Sequence, residues 1–135
     1  MKVLIIDGQG GGLGRQLVTA VKEAHLDIEV LAVGTNSAAT NAMLRAGADQ
    51  AATGENSVEV ASRQADVIMG PIGIVIADSM LGEITPAMAV AVGQSRAKRI
   101  LIPVNLCDSI VVGVGEISMV KNVQNAVNVL EKFLG

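Results

Sequence analysis

The chain contains 135 residues, half of them hydrophobic and 17% charged, with a formal net charge of −3. This length and composition predict a single folded domain, 1–135, and exclude a disordered chain. Phe133 is the one aromatic residue, and the ten basic residues are scattered along the chain. Neither an aromatic stacking platform nor a basic surface is expected, so nucleic acid is not a predicted partner.

The compartment is predicted from the single cysteine and from the apolar runs. Cys107 has no partner for an internal disulfide, which suits a reducing cytoplasm. The apolar run near the amino end is too short for a signal peptide. The charge-free run 67–77 is well below the roughly 20 residues of a membrane-spanning helix. We therefore expect a cytoplasmic protein that does not interact with membranes.

The first predicted elements are a strand at 2–6 and a helix from Gly12 or Leu13 to about Ala24, joined by a glycine-rich loop. Four consecutive apolar residues are typical of a buried parallel strand. Glycines let a ligand approach the backbone closely, and a helix start offers free N–H groups and a partial positive charge to an anion. The loop therefore predicts a phosphate site made by Gly8, Gln9, Gly10, Gly11, Gly12, Leu13, Gly14 and Arg15.

The glycine spacing is looser than that of the known phosphate loops. The chain has Gly8-x-Gly10-x-x-x-Gly14 in place of the dinucleotide pattern, and it has no Gly-Lys-Ser/Thr. The segment 11–16 resembles the phosphate loop of MinD/ParA-type ATPases, but Arg15 and Gln16 replace the lysine and the hydroxyl that bind phosphate and magnesium. Metal-dependent hydrolysis is therefore not expected. The alternative reading is a glycine-rich turn that binds nothing.

Asp7 lies next to this loop. Its carboxylate would repel a phosphate unless it accepted hydrogen bonds from the loop N–H groups or from a ribose.

A second strand at 28–33 leads into three small polar residues, Thr35, Asn36 and Ser37. NAD-binding domains normally carry an acidic residue at this point, which binds the ribose hydroxyls. None is present here, so the three residues are candidates for holding a 2′-phosphate, and NADP or another nucleotide is the expected cofactor. Ordinary N-capping of the next helix by Asn36 or Ser37 explains the same residues without a ligand.

The alternation of strands and helices continues to the end of the chain. Further strands are predicted at 49–52 (a weak edge strand), 66–69, 98–104 and 110–114. Further helices are predicted up to Ala46, from Asn56 as cap to Gln64, from Pro86 with Thr85 as cap, and from Ser118 as cap to the end. The last helix should bury Val120, Val123, Val127, Leu130 and Leu134. Segment 74–84 fits neither period and is expected to form a short helix or turn over the sheet.

This pattern predicts an α/β fold of three layers. Strands that alternate with helices throughout form a doubly wound, mainly parallel sheet, here of about five to six strands and Rossmann-like. The helix at 86–95 is apolar on every side, and a small domain seldom encloses a helix completely. We therefore expect a homodimer through this helix.

The predicted site follows from the predicted topology. In a doubly wound sheet a crevice opens beside the first strand, where the strand order reverses. The glycine loop would form its floor, and the loop after the fourth strand, with Gly70, Pro71 and Ile72, would form its wall. Thr35, Asn36 and Ser37 would lie at one end, and Glu83 and Asn105 at the other.

The whole chain resembles a small bacterial family known only as a conserved domain of unknown function. The motifs that carry the resemblance are segments 7–11, 70–73, 81–86 and 102–105, together with Cys107. The first half also resembles the NAD(P)-binding Rossmann superfamily. The first resemblance implies no activity, and the second implies a fold and a crevice.

Three functions remain open on the sequence. The favoured one is a nucleotide- or phosphometabolite-binding protein, with a regulatory sensor as one form of it. The others are a small NAD(P)-dependent oxidoreductase and a degenerate P-loop protein without hydrolysis. His25, the single histidine, closes the first helix and is expected at the surface, so no catalytic triad can be assembled around it. No metal-ligand spacing is present, and Cys107 is expected to be a buried, inert thiol.

Overall fold

The computed structural model describes residues 1–24, 27–104 and 107–135. Its sheet has five strands, all parallel, in the order β3-β2-β1-β4-β5. The strands are β1 (Lys2–Asp7), β2 (Glu29–Gly34), β3 (Gln50–Thr53), β4 (Val67–Pro71) and β5 (Lys98–Ile102). The helices are α1 (Gly12–Glu23), α2 (Ser37–Arg45), α3 (Glu55–Gln64), α4 (Pro86–Gln94) and α5 (Met119–Leu134), with a short 3-10 helix at Ile72–Val75. The predicted three-layer, doubly wound α/β fold is confirmed.

The central strands are buried because helices cover both faces of the sheet. Val3 and Ile5 face the layer of α1, α2 and α5, whereas Leu4 and Ile6 face the layer of α3, the 3-10 helix and α4. All four are fully buried, as expected for an apolar run in a parallel sheet. β1 pairs with β2 on one side and with β4 on the other, so the chain reverses its direction of winding beside β1. Because all strands are parallel, the loops that follow them lie along the carboxyl edge of the sheet.

The predicted sixth strand is wrong. Residues 110–114 form no strand, and Ile110 and Val112 are 89% and 93% exposed. β-branched residues favour a strand only where a neighbouring strand supplies hydrogen bonds and packing. β5 ends at Ile102 and is an edge of the sheet in the part of the chain that the structure describes.

Several helix ends and faces are as predicted, and two are corrected. Asn36, Thr85 and Ser118 each accept a hydrogen bond as the cap of α2, α4 and α5. Asn56 is not a cap, because α3 already begins at Glu55, after Gly54 with a φ of 105°. On α5 the predicted Val120 is 73% exposed, and Ala126 lies in the buried face instead.

The segment between the 3-10 helix and α4 is a series of turns over the sheet, as expected. Asp78, Met80, Leu81 and Gly82 all have positive φ, between 56° and 88°. Met80 is buried beneath the turn and Leu81 is exposed at its tip. The hydroxyl of the buried Ser79 donates a hydrogen bond to the carbonyl of Gly73, which joins the turns to the 3-10 helix.

Helix α4 is not enclosed on all sides. Met88, Ala89 and Val92 pack inward, whereas Val90 is 52% exposed. Its uniform apolar sequence therefore reflects a buried face and an apolar outer face. Within the described residues, no helix combines the length and apolarity that crossing a bilayer requires.

Candidate functional site

Asp7 ties together the two ends of the glycine loop. Its carboxylate is buried at the end of β1, where Oδ1 accepts from the N–H of Gly8 at 2.8 Å and Oδ2 from the N–H of Gly14 at 2.7 Å. Burial raises the pKa of Asp7 above its usual value. The two backbone hydrogen bonds oppose that rise, and the nearby charge of Glu83 adds to it. The carboxylate is thus satisfied by the loop N–H groups, one of the two arrangements that make it compatible with a phosphate nearby.

Of the remaining loop N–H groups, some form hydrogen bonds and others have no partner among the described residues. The N–H of Gly11 donates to the carbonyl of Gly8 at 2.9 Å, which closes a turn in which Gln9 and Gly11 have φ of 50° and 74°. The N–H groups of Gly10, Gly12 and Leu13 have no hydrogen-bond partner in the described part of the chain. Two of them belong to the first turn of α1, where the helix dipole favours an anion.

A shallow groove of about 220 Å³ lies over this loop. It is lined by residues of the loop together with two side chains from the carboxyl end of the sheet, Val104 and Met119. A Cβ atom added at Gly10 or Gly12 would meet no atom within 4 Å. The backbone is therefore open to a ligand at these two positions. Arg15 is exposed one turn into α1.

Glu83 closes the other side of the loop. Its Oε1 accepts from the N–H of Gln9 at 2.8 Å, from the hydroxyl of Thr35 at 2.6 Å and from the side-chain amide of Asn36 at 2.8 Å. These hydrogen bonds lower the pKa of Glu83 below its usual value, and the bond from Thr35 has the largest effect. Desolvation acts in the opposite direction but is weaker. An ionised carboxylate therefore lies at the carboxyl ends of β1 and β2.

This contact changes the interpretation of the polar residues after β2. Thr35 and Asn36 donate to Glu83, and Asn36 also caps α2 by accepting from the N–H of Ala39 at 2.9 Å. Ser37 is the exposed first residue of α2. A 2′-phosphate at this position would meet an ionised carboxylate and donors already in use, so NADP is not supported as the ligand.

The wall of the groove differs from the expected one. Gly70 and Pro71 belong to β4 and are buried, and a Cβ atom at Gly70 would lie 2.5 Å from the carbonyl oxygen of Ile6. Ile72 begins the 3-10 helix. None of the three lines the groove over the loop.

Met80 and Glu83 lie against the loop instead. A Cβ atom at Gly8 would approach Thr35, Met80 and Glu83 within about 3 Å. The bare backbone of Gly8 is therefore what allows the turn after β4 to pack here. Asn105, which was predicted at the same end of the site as Glu83, and the predicted surface residue His25 lie outside the described residues.

The resemblance to a P-loop does not extend to the residues after the loop. Gln16, which would replace the magnesium-binding hydroxyl, donates from its amide to Sδ of Met119 at 3.2 Å. Residues 1–24, 27–104 and 107–135 contain no group of three or more histidine, cysteine or carboxylate side chains placed to hold a metal ion. Cys107 lies beyond the end of β5, as predicted, but it is exposed, whereas a buried thiol was expected.

Three residues near the loop were not predicted from the sequence. Met80, Val104 and Met119 surround it from the turn after β4, the segment after β5 and the start of α5. Val104 carried a weak signal, because it is the last residue of a predicted strand, at the edge where ligands bind. The two methionines carried none, since apolar side chains in turns and at helix starts have no pattern that distinguishes them.

Comparison with known proteins identifies a family without an assigned activity. No curated protein sequence matches the chain. Among solved structures, a similar chain is that described as "Crystal Structure of dodecameric FMN-dependent Ubix-like Decarboxylase from Escherichia coli O157:H7". It is 14% identical, with a TM-score of 0.49 and coverage of 100% of this chain and 95% of that chain. A family model described as "Domain of unknown function (DUF3842)" matches residues 2–135, so the chain belongs to that family over essentially its whole length.

Proposed function

We propose that this protein binds a small phosphorylated molecule, a nucleotide or a phosphometabolite, in the groove over the glycine loop. The observation that carries the proposal is the set of three backbone N–H groups, at Gly10, Gly12 and Leu13, that have no partner among the described residues and lie beside an open groove. Free N–H groups at a helix start are the usual protein ligands of a phosphate.

The electrostatics of the loop support an anion at this end of the groove. The partial positive charge of α1 favours it. Asp7 opposes it less than its position suggests, because both of its oxygens accept N–H groups and burial raises its pKa. Arg15, exposed on the first turn of α1, adds a positive charge near this end of the helix, although it does not line the groove.

Glu83 limits where the negative charge of the ligand can lie. Its carboxylate is at the Thr35 side of the loop, with the N–H of Gln9 between it and the free N–H groups. A second phosphate near Thr35 would be repelled, whereas ribose hydroxyls would find an acceptor there. We therefore expect a ligand with its phosphate over Gly10 and Gly12 and with an uncharged part toward Glu83.

A thermal-shift panel tests the proposal. The probes are inorganic phosphate, AMP, ATP, NAD, NADP, FMN and a sugar phosphate, with adenosine as the control that lacks a phosphate. At a hundred times its dissociation constant, a ligand specific for the folded state stabilises it by about 2.7 kcal/mol. We expect a shift with at least one phosphorylated probe and none with adenosine. Absence of any shift at millimolar concentration, or equal shifts with adenosine and AMP, would refute the proposal.

A further inference from the structure

The outer face of α4 is uncharged over its whole length and apolar as far as Gln94 at its end. The helix sequence from Pro86 to Gln94 contains no charged residue. Val90 is 52% exposed, and the small side chains of Ala87 and Ala91 flank it and are half-exposed. A helix face of this kind, with one branched side chain among small ones, suits close packing against a second helix.

A groove of about 460 Å³ runs between this face and α3. Its floor and sides come from the outer residues of α4 and from Ser62, and its rim on α3 carries Glu59 and Arg63. The hydroxyl of Ser62 is buried and has no hydrogen-bond partner among the described residues. Glu59 and Arg63 form no ion pair in that part of the chain. The groove therefore combines an apolar surface with opposite charges that remain to be paired.

The arrangement of these residues is self-complementary. α3 and α4 each return from the carboxyl end of one parallel strand to the amino end of the next, so they run parallel to each other. Glu59 and Arg63 are about one helical turn apart on the groove side of α3, and the outer residues of α4 line the other side of the same groove. A two-fold axis that lies along the surface, perpendicular to both helices and midway between Glu59 and Arg63, sets the outer face of α4, which carries Val90, against its own copy.

The same rotation sets the Glu59 of one copy against the Arg63 of the other, and it does so twice. This is the pattern of an isologous interface, in which one surface meets itself.

We propose that the groove between α3 and α4 is the interface of a two-fold symmetric homodimer, with the Val90 face of α4 packed against its own copy and two reciprocal Glu59–Arg63 ion pairs at the rim. The occupant is a second copy of this chain, because the two charges are spaced to pair with each other and because the apolar face between them needs a partner that is likewise uncharged. The proposal does not depend on what the glycine loop binds.

Sedimentation velocity from low to high micromolar concentration tests the interface. Wild type should sediment as a dimer, and Val90→Glu as a monomer, with a dissociation constant raised by about 100-fold or more because the new carboxylates are buried in an apolar interface. Val129→Glu is the matched control. Val129 is 48% exposed on α5, in the opposite helical layer, so this variant should remain dimeric. Far-ultraviolet circular dichroism and thermal melting verify that both variants are folded.

Charge reversal provides a second, milder test at the surface, where folding is not at risk. Glu59→Arg and Arg63→Glu should each weaken the dimer by several-fold, and the double variant should restore it, as expected for exposed pairs that meet across an interface. A monomeric wild type at high micromolar concentration would overturn the proposal. So would a dimer that survives Val90→Glu, or single reversals that the double variant does not rescue.

Discussion

Glu83 accepts a 2.6 Å hydrogen bond from the hydroxyl of Thr35, although the two residues are 48 positions apart in the chain. The bond joins the turn after β4 to the end of β2. Through the N–H of Gln9 it also holds the glycine loop. One carboxylate thus supplies the acidic group that is absent from the sequence after β2, and it fixes three segments at the carboxyl edge of the sheet.

Removal of this carboxylate should loosen the site. We expect Glu83→Ala to lower the free energy of unfolding by about 1 kcal/mol, because three donors lose a charged acceptor that is half-buried and still partly screened by water. Glu83→Gln retains an acceptor oxygen and should cost about half as much. Urea unfolding measures both values, with Glu131→Ala, an exposed change on α5, as the control. Equal values for Glu83→Ala and Glu131→Ala would show that the three bonds contribute nothing.

The contributions of Glu83 and Asp7 to the free energy of unfolding should change with pH in opposite directions. The lowered pKa of Glu83 means that its contribution to stability is present above its usual value of 4.5 and is lost as the pH falls through the folded-state pKa. The destabilisation caused by Glu83→Gln should therefore be constant from about pH 7 to about pH 5 and shrink as the pH falls below 4.5. Urea unfolding across this range measures the trend, and a difference that grows at low pH would contradict it.

Asp7 should show the reverse trend. Burial raises its pKa above 3.8, so its contribution is complete below that pH and is lost as the pH rises through the folded-state pKa. Asp7→Asn leaves one buried N–H of the loop without an acceptor, at a cost of about 1–3 kcal/mol. The loss of unfolding free energy in Asp7→Asn, relative to wild type, should therefore be larger near pH 4 than near pH 8. Parallel trends for the Asp7 and Glu83 variants would exclude these assignments.

Two glycines of α1 should respond differently to the same substitution. A Cβ atom at Gly14 would lie 2.6 Å from Sδ of Met43 and 2.8 Å from Cβ of Asp7, both buried, whereas a Cβ atom at Gly12 would meet nothing within 4 Å. We expect Gly14→Ala to destabilise the fold by about 1–3 kcal/mol through overpacking. Gly12→Ala should leave stability unchanged or raise it by up to about 1 kcal/mol, since alanine favours the helix. Thermal or urea unfolding of Gly14→Ala and Gly12→Ala, compared with wild type, measures this difference in stability.

The free N–H groups of the loop should be blocked by a side chain at Gly10. Because nothing lies within 4 Å of a Cβ atom there, Gly10→Val should leave the fold intact and occupy the ligand's space. For a phosphorylated probe that shifts the wild-type melting temperature, we expect the dissociation constant to rise by at least about 10-fold, which corresponds to the loss of one charge-assisted hydrogen bond. Isothermal titration calorimetry measures it.

Gly93→Val serves as the control for this substitution. Gly93 is equally open, but it lies in α4 on the other face of the sheet. Unchanged binding by Gly10→Val would place the ligand elsewhere and leave the glycine loop as a turn.

The sequence by itself determined the class of the fold and the presence of an open loop after β1. Buried parallel strands are continuous apolar runs, and helix caps such as Asn36 and Thr85 are local features, so both can be recognised without tertiary information. The glycines at positions 10 and 12 indicated an accessible backbone for the same reason. The strand predicted at 110–114 was wrong because it depended on information that is not local. A β-branched run becomes a strand only beside a partner strand.

Only the tertiary structure decided which groups meet at the loop. Gly70 was predicted to leave room for a ligand, but the close approach of β1 fills that space. Glu83 was placed at the far end of the site, whereas the left-handed turn at 78–82 brings it to Thr35 and Gln9. Hydrogen bonds between residues that are distant in the chain depend on how the intervening elements pack. No local pattern encodes that distance, and for this reason the acidic partner of Thr35 was not predicted from the sequence.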